Sequence, residues 1–392
     1  MLFGNKNRNK KVFLDYASST PIDPGVLHKM NSYLESNFAN PRALYSQAEE
    51  AKEEMKIAKR DIAKIFSCKS DEIYFTSSGT ESNNLAILGV FYAYQNKNFK
   101  PHFITTEIEH SSVLETFREV EKRGGEVTYL KVSEKGDFSI EDLKNSIKEH
   151  TVLISISYAN NEIGIINPIK EVSKIIREWR NKKETNLPYF HCDACQAVLY
   201  LSLDVSKNGL DIMTIDGLKM YGPRNGGILY IKNGLEIKPI IYGGGHQRGL
   251  RSGTEDVASI LGLAYALEIA ETMKEEESER LLKIRDYAID KILEKFEGSS
   301  LNGSRDNRLP NNINICFPGK DAEFLVVSLD IFGISVSYSS SCNTLKEDSS
   351  SFVIKSLDKA DCSQSSLRVT LGRDTDIEDI DYFLEKLEKI IN

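Results

Sequence analysis

Leu210-Asp211-Ile212-Met213-Thr214-Ile215-Asp216-Gly217-Leu218-Lys219-Met220-Tyr221-Gly222-Pro223 is an apolar run of strand length that ends in a lysine and a Gly-Pro turn. Short apolar runs rich in β-branched residues read as buried strands, and Gly-Pro marks the turn that follows. A lysine at the end of a buried strand is open to desolvation. Desolvation disfavours the ammonium form, lowers the pKa and makes the amine a nucleophile toward an aldehyde. The plainer alternative is a lysine exposed at a strand end, and this stretch alone leaves both open.

Together with it, runs of strand length lie at 72–76, 102–105, 152–158, 188–193 and 227–231, six in all with 211–215. Between them, helical periodicity appears at Ala51, Met55, Ala58, Ile62 and Ile65. It returns at Leu281, Ile284, Ala288 and Ile292, and at Ile377, Ile380, Leu384, Leu387 and Ile391. Strands alternating with helices predict an α/β fold with a mostly parallel sheet wrapped by helices. The acidic run 274–280 reads as a solvated helix face opening a long helix into a C-terminal region.

A chain of 392 residues exceeds one ordinary core, so two domains are expected. With 50 Lys+Arg against 58 Asp+Glu, the net charge is −8, which implies no broad basic face for nucleic acid. The basic stretch 6–11 has no apolar segment behind it, and no run approaches the roughly 20 apolar residues that span a bilayer. These features predict a soluble, cytoplasmic protein with no direct nucleic-acid or membrane partner. Six cysteines in this length do not resemble a disulfide framework. Cys192 and Cys195 have CxxC spacing without a second pair, so they read as small buried residues and no metal site is expected. Cys342 lies in the polar, small-residue loop 337–344, where reactive and structural roles both stay open.

Ligands of open α/β sheets bind beyond the carboxyl ends of the strands. The first such end carries Ser77-Ser78-Gly79-Thr80-Glu81-Ser82-Asn83 ahead of an apolar helix, which is an anion cup or an ordinary capped helix. Later ends carry Glu109-His110, Asn160-Asn161, Asp193-Ala194-Cys195-Gln196 and Lys219. A cup, an imidazole, an amide, a carboxylate and a lysine on one sheet edge match the needs of pyridoxal phosphate. That cofactor requires a lysine for its aldehyde, an anion site, and an acid on its pyridine nitrogen.

At these residues the chain resembles the cysteine desulfurases, in the class V aminotransferase group of fold-type-I pyridoxal-phosphate enzymes. The resemblance runs nearly end to end, through Leu14-Asp15-Tyr16, Asn40-Pro41, the stretches 76–84, 160–164, 191–196 and 219–223, Gly243 to Gly249, Arg251 to Thr254, and Leu367-Arg368. It implies a mostly parallel seven-stranded sheet in a large domain (22–270) and a smaller α+β domain (1–21 and 271–392). It further implies that Lys219 binds the cofactor's aldehyde and removes the substrate Cα proton. Asp193 would pair with the pyridine nitrogen, Gln196 with the ring hydroxyl, and His110 would stack on the ring and act in acid–base steps. Gly79 and Thr80 would hold the phosphate, with Thr254 reaching it from the partner in a homodimer. Asn161 would touch cofactor or substrate, Asn40 would lie near the substrate, and Arg368 would clamp its carboxylate. Cys342 falls where the family places its sulfur-accepting nucleophile.

The implied activity is removal of sulfur from L-cysteine. It gives L-alanine and a persulfide for a protein acceptor such as an iron–sulfur scaffold or a tRNA-thiolation enzyme. Selenocysteine lyase or another class V lyase or aminotransferase is the enzymatic alternative; a non-catalytic dimeric scaffold is the alternative of another class. The chain also departs from the family. Asp216-Gly217-Leu218-Lys219 stands where Ser-Gly-His-Lys is usual, Ser46 replaces a histidine, and Ser339 and Ser341 replace the loop's glycine and alanine. Leucine cannot donate to a phosphate and aspartate would repel it, so Asp216 is expected to turn away, toward Arg251 or Arg224.

Overall fold

A computed structural model describes residues 10–338 and 350–391. The strands are β1 (Val12–Phe13), β2 (Ile73–Thr76), β3 (His102–Thr106), β4 (Glu126–Leu130), β5 (Thr151–Ser155), β6 (Tyr189–Asp193), β7 (Ile212–Asp216), β8 (Gly227–Ile231), β9 (Ser300–Leu301), β10 (Asn312–Cys316), β11 (Ile334–Ser335) and β12 (Ser366–Thr370). The helices are α1 (Pro24–Ser36), α2 (Ser46–Phe66), α3 (Gly79–Tyr94), α4 (Ser111–Lys122), α5 (Ile140–Ser146), α6 (Ile169–Lys183), α7 (Val205–Asn208), α8 (Val257–Lys295), α9 (Ala322–Ile331), α10 (Phe352–Ser356) and α11 (Ile377–Ile391).

Seven strands form the central sheet in the order β2-β8-β7-β6-β5-β3-β4, and only β8 runs against its neighbours. Side chains of a strand alternate between faces. Phe190, Met213, Ile228 and Tyr230 therefore join the core under α2, α6 and the start of α8. Tyr189, Ile212, Leu229 and Ile231 join the core under α3 and α4 on the other face. Burial on both faces explains why these strands read as unbroken apolar runs. The six runs expected from the sequence are all strands. The seventh, β4, is an edge strand with four of five residues only partly buried, so it carries no such run.

A separate core joins β10, β12, α9, α11 and the second half of α8. α8 is a single helix of 39 residues whose cap is Asp256, accepting from the Ser259 N–H. The acidic run 274–280 therefore lies in its middle and does not open it. The first half of α8 is apolar almost all round because it is buried, and so it lacks the periodicity that marks an amphipathic start.

One expectation about the cysteines is corrected. Cys316, at the end of β10, is joined to Cys362 at an S–S distance of 2.06 Å. The pair is separated by 46 residues in sequence but adjacent in space, because β10 and β12 are antiparallel neighbours. Cys192 and Cys195 are buried thiols, as read from the sequence. No helix among the described residues is long and apolar enough to cross a membrane.

Candidate active site

The carboxyl ends of β2, β3, β5, β6 and β7 open on one edge of the sheet. Gly79, Thr80, His110, Asn161, Asp193, Gln196, Lys219 and Arg368 line one cavity of ≈ 220 Å³ there. Lys219 closes a short 3-10 turn after β7, and its Nζ donates to the carbonyls of Ala17 (2.9 Å) and Ser18 (2.5 Å). Burial pushes its pKa down, partly opposed by the Asp216 carboxylate. The desolvation expected from the sequence is thus present in the fold.

Asp193 ends β6. Its Oδ1 accepts from the Cys195 N–H (3.0 Å) and its Oδ2 from the Asn83 side-chain amide (2.7 Å). Asn83 also donates to Ser112 (2.9 Å), and Ser112 contacts Nδ1 of His110 (2.8 Å). His110 caps α4, with Nδ1 accepting from the Ser112 N–H (3.2 Å), so the plane of its ring is set by the start of that helix. Its sequence neighbour Glu109 is buried and accepts from the Ser157 N–H and the Thr106 hydroxyl. Burial raises its pKa to about 7.

Arg368, on β12, reaches the cavity from the second core and is 1% exposed. Its Nη2 is held by Asp15 (2.8 Å) and Ser18 (2.7 Å), and its Nη1 donates to the Asn161 carbonyl (3.1 Å). The Gln196 amide donates to the Ala17 carbonyl (3.0 Å). The segment 15–18 therefore ties lysine, glutamine and arginine together. Asn83, Ser112, Asp15 and Ser18 were given no role by the sequence. Asn83 was recoverable, since it lies four positions after Gly79 on α3 and so on the same helix face.

The anion cup departs from expectation. Gly79 opens α3, with Ser78 capping the Glu81 N–H (3.2 Å). Asp216 does not turn away: its Oδ2 accepts from the Gly79 N–H at 2.9 Å and its Oδ1 from the Leu218 N–H at 2.9 Å. Arg251 is engaged instead by Glu81, at 2.7 and 3.1 Å. The reason is local. A helix leaves its first N–H groups without partners, and a carboxylate at the end of the adjacent strand satisfies one of them on the positive end of the dipole.

Two expected residues are not brought to this cavity, and a third cannot be placed relative to it. Asn40 is exposed, in the loop before α2. Thr254 lines a separate cleft with Thr76, Ser77 and Arg251. Cys342 lies outside the described residues.

Comparison with known proteins places the chain in a family. The family model "Aminotransferase class-V" matches residues 12–383. The chain is 42% identical over 385 residues to cysteine desulfurase IscS of Clostridium botulinum (strain Kyoto / Type A2), covering 98% of this chain and 95% of the relative. It is 41% identical to cysteine desulfurase IscS of Dictyoglomus turgidum, covering 97% and 95%. Among solved structures, a NifS-like protein superposes with a TM-score of 0.90 at 32% identity, covering 97% of this chain and 99% of that one. SspA in complex with cysteine superposes with a TM-score of 0.79 at 32% identity, covering 92% and 99%. Extent and identity together show that this chain belongs to the class-V aminotransferase family and, within it, to the cysteine desulfurases.

Proposed function

We propose that this cysteine desulfurase takes sulfur from L-cysteine with pyridoxal phosphate held at Lys219, releasing L-alanine and leaving a persulfide on Cys342. The observation that carries the reading is the convergence of Lys219, Asp193, His110, Gln196 and Arg368 on one cavity. The donor set fits the cofactor at its ring and aldehyde end: a partly desolvated amine, a buried carboxylate, an amide and an imidazole. When bound, pyridoxal phosphate would supply an electron sink that makes the bonds at the substrate's Cα and Cβ breakable.

The chain's own residues do the rest. A depressed pKa gives Lys219 a share of free amine, both to bind the aldehyde and to carry the substrate's Cα proton. Asp193, held on both oxygens, would keep the pyridine nitrogen protonated. His110, fixed through Nδ1, would stack on the ring and pass protons, while Gln196 would meet the ring hydroxyl. Arg368 offers a preoriented guanidinium to the substrate carboxylate, with Asn161 beside it. Gly79 and Thr80 would hold the phosphate.

Cys342 is supported as sulfur acceptor by elimination among the six cysteines. Cys316 and Cys362 are bonded to each other, and burial pushes the thiols of Cys68, Cys192 and Cys195 up, away from the reactive thiolate form. Its persulfide would pass to a protein acceptor such as an iron–sulfur scaffold or a tRNA-thiolation enzyme, in the cytoplasm.

A homodimer is supported by large apolar side chains left exposed on two neighbouring loops. Phe38 is 98% exposed, Leu44 96% and Tyr242 76%. Arg42 joins the two loops that carry them by donating to the carbonyls of Gly244 and Gly245. Thr254, remote from its own cavity, is then available to a partner's phosphate, and Asn40 to the substrate. Residues 22–270 and the remainder (1–21 with 271–392) are read as the two domains, in keeping with the separate cores.

Incubation with L-cysteine and a reductant, measuring alanine and sulfide, tests the activity. Cys342→Ser is expected to retain bound cofactor and lose sulfide release; unchanged sulfide release would remove Cys342 from its role.

A further inference from the structure

Asp216 stands out within the cavity because its carboxylate already holds the donor that an incoming phosphate would use. Gly79 is the first residue of a helix of 16 residues, and its N–H points at Asp216 Oδ2 (2.9 Å). The other oxygen is tied to Leu218 N–H (2.9 Å), so the turn that presents Lys219 also presents this charge to the cup. Packing is tight. A Cβ built on Gly79 would lie 2.9 Å from Cys195 Sγ and 3.1 Å from Asp216 Oδ2, so no layer separates the carboxylate from the helix start. Leu218, the other residue between Asp216 and Lys219 that lines the cavity, offers no side-chain donor. Arg251, the residue Asp216 was expected to meet, is paired with Glu81 of the same helix instead.

We propose that Asp216 is an internal competitor for the cofactor's phosphate. Its carboxylate shares the Gly79 donor and the positive end of α3, so it weakens the hold on the phosphorylated cofactor and narrows the preference for it over the unphosphorylated vitamer. The inference rests on the reading that pyridoxal phosphate binds at Lys219. A like charge within a few ångströms in a partly desolvated site opposes binding strongly, whereas a neutral side chain of the same shape leaves the helix dipole free to attract. Pyridoxal, with a hydroxymethyl group in place of the phosphate ester, meets no such repulsion and can donate its hydroxyl to the same carboxylate.

The test titrates full-length protein, stripped of cofactor, with pyridoxal phosphate and separately with pyridoxal. It compares the natural chain, Asp216→Asn and Asp216→Ser. Binding is read from visible absorbance, and attachment from borohydride trapping and the mass of the Lys219 peptide. Both variants are expected to bind pyridoxal phosphate about tenfold tighter or more, while their affinity for pyridoxal changes by less than about threefold. An equal change for both vitamers would mean that Asp216 acts through the lysine's pKa, and would overturn the proposal. Unchanged or weaker binding of pyridoxal phosphate in variants that keep the natural circular dichroism and melting profile would overturn it too. Absence of any adduct at Lys219, in every protein and with either vitamer, would instead defeat the cofactor reading on which the proposal stands.

Discussion

The two ends of the cavity are built on opposite principles. At the lysine end each group is held in place by a neighbour: Asn83 and the Cys195 N–H for Asp193, Ser112 for His110, and Asp15 with Ser18 for Arg368. At the cup end the binding element is itself engaged, since Asp216 accepts the Gly79 N–H. The first end fixes the side chains that line the cavity; the second satisfies a helix start. Under the proposed roles, the contrast teaches that groups for chemistry can stay in place while a group for anchoring is engaged by the protein itself. Anchoring is a sum of several weak donors, each replaceable, whereas proton transfer at one carbon needs one amine in one place.

The contrast can be broken hardest at Lys219. Lys219→Ala is expected to abolish the trapped adduct and lower alanine formation by a factor on the order of 10³ or more, measured by mass and by amino-acid analysis. Turnover at the natural rate would dissolve the distinction between the two ends. Asp193→Asn tests the lysine end alone. Loss of the charge proposed to face the pyridine nitrogen should lower kcat about a hundredfold, with a far smaller change in the substrate KM. A drop confined to cofactor affinity would instead make Asp193 an anchor like the cup.

The smallest effect concerns the buried carboxyl next to His110 in sequence. Burial raises the pKa of Glu109 above its ordinary carboxylate value of 4.5, to about 7. The folded chain then holds the proton more tightly than the unfolded one. The associated stability is complete below the ordinary value and lost as pH rises through about 7. Glu109→Gln, which keeps the shape without the titration, should therefore lose less stability between about pH 5.5 and 8 than the natural chain. The difference is of order 1–3 kcal/mol by denaturant unfolding. Parallel pH profiles would show that Glu109 carries its charge without penalty in the fold.

Much of this architecture was legible because burial leaves a plain imprint. Strands covered on both faces are apolar throughout, and the residues after them fall on one edge whatever the loops do. Lys219, Asp193, His110 and Arg368 were found on that ground and on family resemblance. The parts that escaped depend on partners far away in sequence. Asp216 faces a helix start 137 positions earlier, and no local pattern reports where a side chain finds an orphan N–H. Cys316 meets Cys362 only because two antiparallel strands bring their ends together. Edge strand β4 is half exposed, and the buried start of α8 lacks a polar stripe, so neither matched the periodicity used to find its kind.

α8 has one more consequence. Its early residues Ile260, Leu263 and Leu267 are locked against the large sheet, and Leu281, Ile284 and Ile292 against the outer core that carries Arg368. Continuous hydrogen bonding over 39 residues makes it a rod of about 58 Å, anchored at both ends. Swinging the arginine away from the lysine would require bending that rod. The spacing between Arg368 and Lys219 is thus set by a stiff element, and under the proposed roles it would sort substrates by length.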